Sequence, residues 1–253
     1  MNLVINSEYN SLSDWIKGIP SFFSIQGETI YKARNEIKTF DTNFGKIVVK
    51  SFQIPHIINR FAYSFLRFSK AKRSYTYSLE IQKRGFETPN PIAYIELFKM
   101  GLLSESYYVS THTDYVLMRN FSFDKKLTDD DVEILKAFAR FTAQLHEKEI
   151  FHKDYSNGNI LYKREGKNIF FHLIDVNRIK FKKVTDKMAY KTFHRLDFSV
   201  EMLEIVAKEY ALQRQMDVEK SIVTITRLNL KTMRKYRNKS NAIPIITMEN
   251  ISK

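Results

Sequence analysis

FHKDYSNGNILYKREGKNIFFHLIDVN, residues 151–177, is the stretch from which the rest of the chain can be read. Its opening residues set His152, Asp154, Asn157 and Asn159 around Gly158, and sixteen residues past Asn159 the apolar run FFHLID ends on Asp175. Asp, Asn and Gly all favour turns, so one reading is a plain polar loop. The other is chemical. Phosphoryl transfer asks little of a protein: a carboxylate to orient the attacking hydroxyl and accept its proton, and oxygen ligands to hold magnesium on the phosphates. Magnesium takes hard oxygens, usually one or two carboxylates completed by phosphate and water. Asp154, Asn159 and Asp175 supply that set. A short loop between a helix end and a strand can hold Asp154 and Asn159 on one side of a cleft, and the following strand can bring Asp175 alongside.

The flanks fit this placement. Thr128 is a good helix N-cap, followed by Asp129, Asp130 and Asp131 in the first turn, where the helix dipole favours acids. Ile134, Leu135, Phe138, Phe141 and Leu145 then form an apolar stripe, and the helix runs out near Glu147, where the quoted stretch begins. NILY and NIFFHLIDV read as short strands around the turn REGK.

Upstream, residues 20–54 read as strands, with TIYKARNEIKTF alternating loosely and KIVVKSF short and β-branched behind the turn DTNFG. Residues 55–84 read as helical, first through Ile57, Ile58, Phe61, Phe65 and Leu66, then through a face of Ala71, Tyr75, Leu79 and Gln82. Gly85 and ETPNP break that helix. PIAYIEL and ESYYVSTHT are two more strands, joined by FKMGLLS. Downstream, LDFSVEMLEIVAKEYALQ is helical, and another helix starts near Val218. A strand-rich N-terminal region, residues 1–112, therefore precedes a helix-rich region, residues 113–253. Lys50 ends the strand KIVVK about a hundred residues before the loop. A lysine on a half-buried strand can reach the α- and β-phosphates of a nucleotide.

Composition narrows the classes. The 253 residues suit two lobes better than one core. There are no cysteines, which excludes disulfides, thiolate metal sites and cysteine nucleophiles. The N-terminal segment has no basic start leading into an apolar run, and no stretch approaches the roughly 18 apolar residues of a membrane span. The expectation is a cytoplasmic protein. Its formal charge of +13 favours polyanionic partners. Basic residues run through 42–79 without an acid, through 178–195 broken only by Asp186, and through 227–239. No nucleic-acid motif accompanies them, so nucleic acid is not the expected partner.

HKDYSNGN resembles the H-x-D-x-x-x-x-N catalytic loop of the protein-kinase superfamily, and IDVN resembles its D-F-G metal-binding element. The wording FHKDYSNGNILY…FHLIDVNRIKF is most similar to one branch, the lipopolysaccharide core kinases that phosphorylate Kdo or heptose. GETIYKARNEIKTF…GKIVVKSF, SKAKRSY and TPNPIAYIE extend that similarity over roughly residues 20–200. The resemblance implies an α+β, two-lobed protein-kinase-like fold, with an N-terminal antiparallel sheet lobe carrying a helix and a larger helical C-terminal lobe. It implies ATP and Mg²⁺ as cofactors. It makes Asp154 the catalytic base, Asn159 a magnesium ligand, Asp175 the main metal ligand and Lys50 the nucleotide-phosphate lysine, with His152 bracing the loop. Gly27 is the one glycine where a phosphate-covering turn would sit, since no G-x-G-x-x-G is present. Val176 and Asn177 replace the Phe and Gly of D-F-G. Glu80 is the candidate partner for Lys50, with Thr76 as the rival occupant. The implied acceptor is a lipopolysaccharide core or lipid A precursor, with peripheral contact at the anionic inner-membrane face. A protein serine/threonine kinase, a small-molecule phosphotransferase and a pseudokinase binding an anionic partner are the alternatives.

Overall fold

The structure is a computed structural model that describes residues 1–54, 63 and 67–240. Ile57, Ile58, Phe61, Phe65 and Leu66 of the expected 55–84 helix lie outside the described residues, and the described helix starts at Lys70. The chain divides into two units: Met1–Tyr115 with His172–Arg178, and Val116–Phe171 with the chain from Ile179 onward.

The first unit is built on a six-stranded antiparallel sheet. Its strands are β1 (Asn2–Ile5), β2 (Glu28–Lys32), β3 (Glu36–Thr42), β4 (Gly45–Ser51), β5 (Pro91–Lys99) and β6 (Leu102–Thr111), in the order β1-β5-β6-β4-β3-β2. The side-chain period of two sorts the residues of β4. Ile47 and Val49 point to one face, where they pack with Val109, Phe40 and helix α1 (Ser13–Phe22) through Ile16 and Ile19. Val48 and Lys50 point to the other face. There Lys50 lies opposite Tyr108, and Phe52 packs against Tyr94 and against Ala71 and Tyr75 of helix α2 (Lys70–Lys83). The tight β5–β6 hairpin turns at Met100 and Gly101, both with positive φ, as a two-residue turn of matching twist requires.

Three features of this unit differ from the sequence reading. The N-terminal β1, paired to β5, and helix α1 carry no clear single-sequence signal. α1 includes Pro20, whose ring denies the helix a donor there. In α2 the face Ala71, Tyr75, Leu79, Gln82 is rotated: Ser74, Ser78 and Ile81 are buried, and Leu79 is exposed. The reason is polar, because the Ser78 hydroxyl bonds the Tyr108 hydroxyl at 2.9 Å under the helix. Lys38 is buried, with its ammonium donating to the carbonyls of Phe23 (2.7 Å) and Gln26 (3.1 Å). It thereby satisfies the C-cap carbonyl of α1 and one carbonyl of the turn that follows.

The second unit holds α3 (Asp129–Glu147), β8 (Ile150–His152), β9 (Ile160–Glu165), α4 (Asp186–Thr192), α5 (Val200–Gln213) and α6 (Val218–Ser240). β7 (Val116–Leu117) and most of β10 (Asn168–Leu173) flank β9 in a three-stranded sheet, and β11 (Ile179–Phe181) pairs with β8. Thr128 caps α3 as expected, in a capping box with Asp131. α4 begins at Asp186, earlier than the helical pattern that the sequence shows from Phe193. No helix among the described residues is long and apolar enough to cross a membrane.

His146 ties three helices of this unit together. Its Nδ1 meets the Tyr210 hydroxyl at 2.7 Å and its Nε2 the Thr192 hydroxyl at 3.2 Å. Burial pushes its pKa from 6.5 down to about 3. The folded protein therefore keeps it neutral, whereas the unfolded chain takes up a proton below about pH 6.5. This group's contribution to stability is present above that pH and declines toward pH 3. Its slope is at most about 1.4 kcal/mol per pH unit. Denaturant titrations from pH 7 to pH 5 are expected to show a steeper loss of stability for the wild type than for His146→Gln. Parallel curves would remove this residue from the acid limb.

Candidate active site

The candidate residues fall into two groups, one in each unit. In the first unit, the segment after β10 is drawn to the loop following α2. The Thr88 hydroxyl donates to the Leu173 carbonyl (2.7 Å), and the Leu173 N–H donates to the Glu87 carbonyl (3.3 Å). The tie carries Asp175 toward the α2 face of the sheet, where Lys50 projects. The Lys50 ammonium donates to Asp175 Oδ1 at 2.5 Å, and both side chains are largely shielded. The buried Asn177 donates to the same oxygen at 2.7 Å. Asp175 has φ +53, a left-handed conformation uncommon outside glycine, held here by those two donors. Backbone outliers of this kind gather at active sites because the surroundings must enforce them.

In the second unit, α3 ends, β8 runs through His152, and the loop turns back into β9. His152 is buried, and its Nδ1 accepts from the Asp154 N–H at 3.0 Å, so this nitrogen carries no proton. The histidine fixes the backbone that presents Asp154. Asn159 donates through its amide nitrogen to the Asp154 carbonyl at 2.8 Å, which turns its own oxygen away from that contact. Asn157 is buried: it donates to the carbonyls of Met118 and Phe121 and accepts from the Asp197 N–H. The Asp154 carboxylate is ion-paired with Arg195.

The structure thus brings Lys50 to Asp175 and Asp154 to Asn159. Two expected residues have other local settings. Glu80 accepts from Arg84 at 2.7 Å, four residues along α2, while Lys50 is held by Asp175. Thr76 turns its hydroxyl back to the Lys72 carbonyl. Gly27 precedes β2 rather than lying in the β2–β3 turn, and its backbone, at φ +81, passes so close to the Phe40 ring that a Cβ would fall 2.5 Å from it. Sequence reasoning missed Arg195, visible only as one cation in a basic run, Asn157, which reads as one more polar residue of the loop, and Asn177, which reads only as a replacement for the Gly of D-F-G.

The donor chemistry fits a nucleotide-bound metal. Among the described residues no three His, Cys, Asp or Glu side chains form a closed metal cage. Asp175 and Asn159 are hard oxygen donors of the kind that leave positions for phosphate and water.

A model of the lipopolysaccharide kinase (Kdo/WaaP) family matches residues 41–216, most of the chain. The chain belongs to that family. It is therefore a kinase, a phosphotransferase, on the α+β protein-kinase-like fold that the loop motif implied. Among solved structures, WaaP in complex with acyl carrier protein is similar with a TM-score of 0.64 at 15% identity, covering 94% of this kinase and 99% of that chain. The Rio2 kinase-ADP/Mg²⁺-phosphoaspartate complex from Chaetomium thermophilum aligns with a TM-score of 0.49 at 14% identity, covering 94% and 74%. No curated protein matches the chain.

Proposed function

We propose that this kinase transfers the γ-phosphoryl group of ATP, bound with Mg²⁺, to a hydroxyl of Kdo or heptose in the lipopolysaccharide inner core. The observation that carries the reading is the Lys50–Asp175 pair. An ammonium on a strand and a strained carboxylate beside it are the groups that a magnesium nucleotide needs for its phosphates and its metal. In this reading the N-terminal region, residues 1–112, binds the nucleotide through Lys50, and the C-terminal region, residues 113–253, supplies Asp154 and Asn159. Asp154 orients the sugar hydroxyl and accepts its proton, and Arg195 holds the carboxylate in place until then. Asp175 and Asn159 give oxygens to the metal. The metal supplies charge neutralisation on the phosphates.

The acceptor class rests on family membership and charge. Lys180, Lys182, Lys183, Lys187 and Lys191 are exposed, and they follow Asp175 in the chain. Such a cationic run suits the phosphates and carboxylates of a lipid A precursor at the cytoplasmic membrane face. The double change Lys182→Glu, Lys183→Glu is expected to lower the rate on a lipid-linked acceptor, with the defect largest at low salt, where screening is weakest. A defect independent of ionic strength, or none, would detach this run from the acceptor.

The deciding assay incubates the purified kinase with γ-labelled ATP, Mg²⁺ and Kdo-lipid A or a heptosylated core, with protein and aminoglycoside acceptors in parallel. Label in a core sugar supports the proposal. Label confined to protein or aminoglycoside, or no transfer at all, overturns it.

A further inference from the structure

The turn between β2 and β3 is where a kinase ordinarily covers the nucleotide phosphates with glycine-rich backbone. Here it reads Ala33, Arg34, Asn35, with no glycine. The Ala33 N–H donates to the Asn35 carbonyl at 3.0 Å, and the Asn35 side chain accepts from the Gln53 N–H at 3.2 Å. Together with the register Ile37–Lys50, those bonds fix the turn at the Lys50 end of β4.

Helix α2 starts at the same end. Its N-cap is Ser69, and its first turn is Lys70, Ala71, Lys72, Arg73, with no acid. Three cations at the positive end of a helix dipole oppose the usual preference. Ala71 is fully buried in a cluster with Phe52, and the Lys50 ammonium lies 5.2 Å from the centre of that same ring. Lys70 therefore enters beside Lys50. Burial, together with the fields of Arg34, Lys50 and Arg73, lowers its pKa, and only Asp175 acts in the opposite sense. The Arg73 Nε is buried without a hydrogen-bond partner among the described residues. Lys70 thus lies within electrostatic reach of the cations Arg34, Lys50 and Arg73 and of one carboxylate, Asp175.

We propose that Arg34 and Lys70 are direct ligands of the nucleotide's phosphate chain, replacing with side-chain charge the backbone donors of a glycine-rich turn. The proposal rests on the nucleotide-site reading above and adds two residues to it. A cation cluster that repels itself without ligand is stabilised by a polyphosphate, and each further phosphate recruits another of its members. Affinity for the magnesium complexes should rise steeply from AMP to ADP to ATP.

The test measures thermal shifts with Mg·AMP, Mg·ADP and Mg·ATP, and steady-state kinetics, for wild type, Arg34→Ala, Lys70→Met, Lys70→Arg and Lys50→Met. Lys70→Met and Arg34→Ala are each expected to raise KM for Mg·ATP about tenfold or more, with a smaller change in kcat. They should erase the added stabilisation by ATP over AMP, while the ligand-free melting temperature stays equal or rises because repulsion is relieved. Lys70→Arg should restore most of the ATP effect. A lowered ligand-free melting temperature with the ATP shift intact would make both residues structural and overturn the proposal. So would an unchanged KM for ATP with a raised KM for the sugar acceptor, which would give the cluster to the acceptor's phosphates. If Lys50→Met weakens nucleotide binding and the Arg34 and Lys70 variants do not, this proposal fails while the nucleotide site stands. If wild type and Lys50→Met are alike in showing no nucleotide shift, both readings fail.

Discussion

Asp154→Asn is expected to abolish phosphoryl transfer while leaving nucleotide binding intact. The substitution keeps the shape of the side chain and removes its basicity. A positioned general base contributes roughly 10²–10⁴-fold, and loss of hydroxyl orientation adds to that, so kcat should fall by about three orders of magnitude or more. The fold has no reason to fail. Asp154 sits on a loop fixed by His152 and Asn159 through backbone atoms of residue 154, and those bonds survive the exchange. Its ion pair with Arg195 is about as shielded as the Lys50–Asp175 pair, but asparagine keeps an oxygen for the guanidinium, and Arg195 still packs over the Tyr236 ring, 5.5 Å from its centre. A hydrogen bond to a charged donor thus replaces the ion pair, and the donor is not left without an acceptor. The melting temperature should therefore stay within a few degrees, and the shift produced by Mg·ATP should match the wild type. Equal losses of turnover and ATP affinity would mean that Asp154 serves the nucleotide rather than the acceptor.

Much of this was legible in the sequence, and the reasons differ by residue. The loop motif and Asp175 could be read because chemistry restricts both residue type and spacing. Lys50 could be read because the strand KIVVK is self-evident and the motif supplied its context. The strand–helix alternation from 91 to 173 followed from turn residues and period. What escaped depends on pairings distant in the chain. β1 is a strand because β5 offers it an edge about 90 residues away, and the rotated face of α2 follows from the tyrosine beneath Ser78. Glu80 is the one acid on its helix and so the natural candidate beside Thr76, yet an i,i+4 arginine pairs with it and Asp175 pairs with Lys50. Gly27 is the one glycine in the stretch where a phosphate-covering turn would sit, yet the Phe40 ring accounts for it. Both choices assumed the hardware of a typical kinase, whereas this chain places arginine and lysine at the corresponding ends of the β2–β3 turn and α2.

Asp175→Asn should fail in a different way from Asp154→Asn, and the contrast separates the two roles. Residue 175 has φ +53, and asparagine is one of the few side chains that tolerate that region. The backbone at 175 should therefore keep its shape. What is lost is charge. The Lys50 ammonium, mostly shielded from solvent, would face a neutral amide with Lys70 within electrostatic reach, and the metal would lose the carboxylate proposed for it. Turnover should drop by about three orders of magnitude or more, as for removal of a group that stabilises transition-state charge. Unlike the Asp154 variant, this one should also lose the Mg²⁺-dependent component of ATP stabilisation, because a ligand that no longer prefers the folded form cannot raise its melting temperature. The ligand-free protein should melt slightly lower, since the exchange leaves the cation cluster without its carboxylate. Asp175→Ala should melt lower still, because alanine has neither the charge nor an easy left-handed backbone. A Mg·ATP shift undiminished in Asp175→Asn would show that the metal is held elsewhere, and the Lys50–Asp175 pair would then be only a structural tie between β4 and the segment after β10.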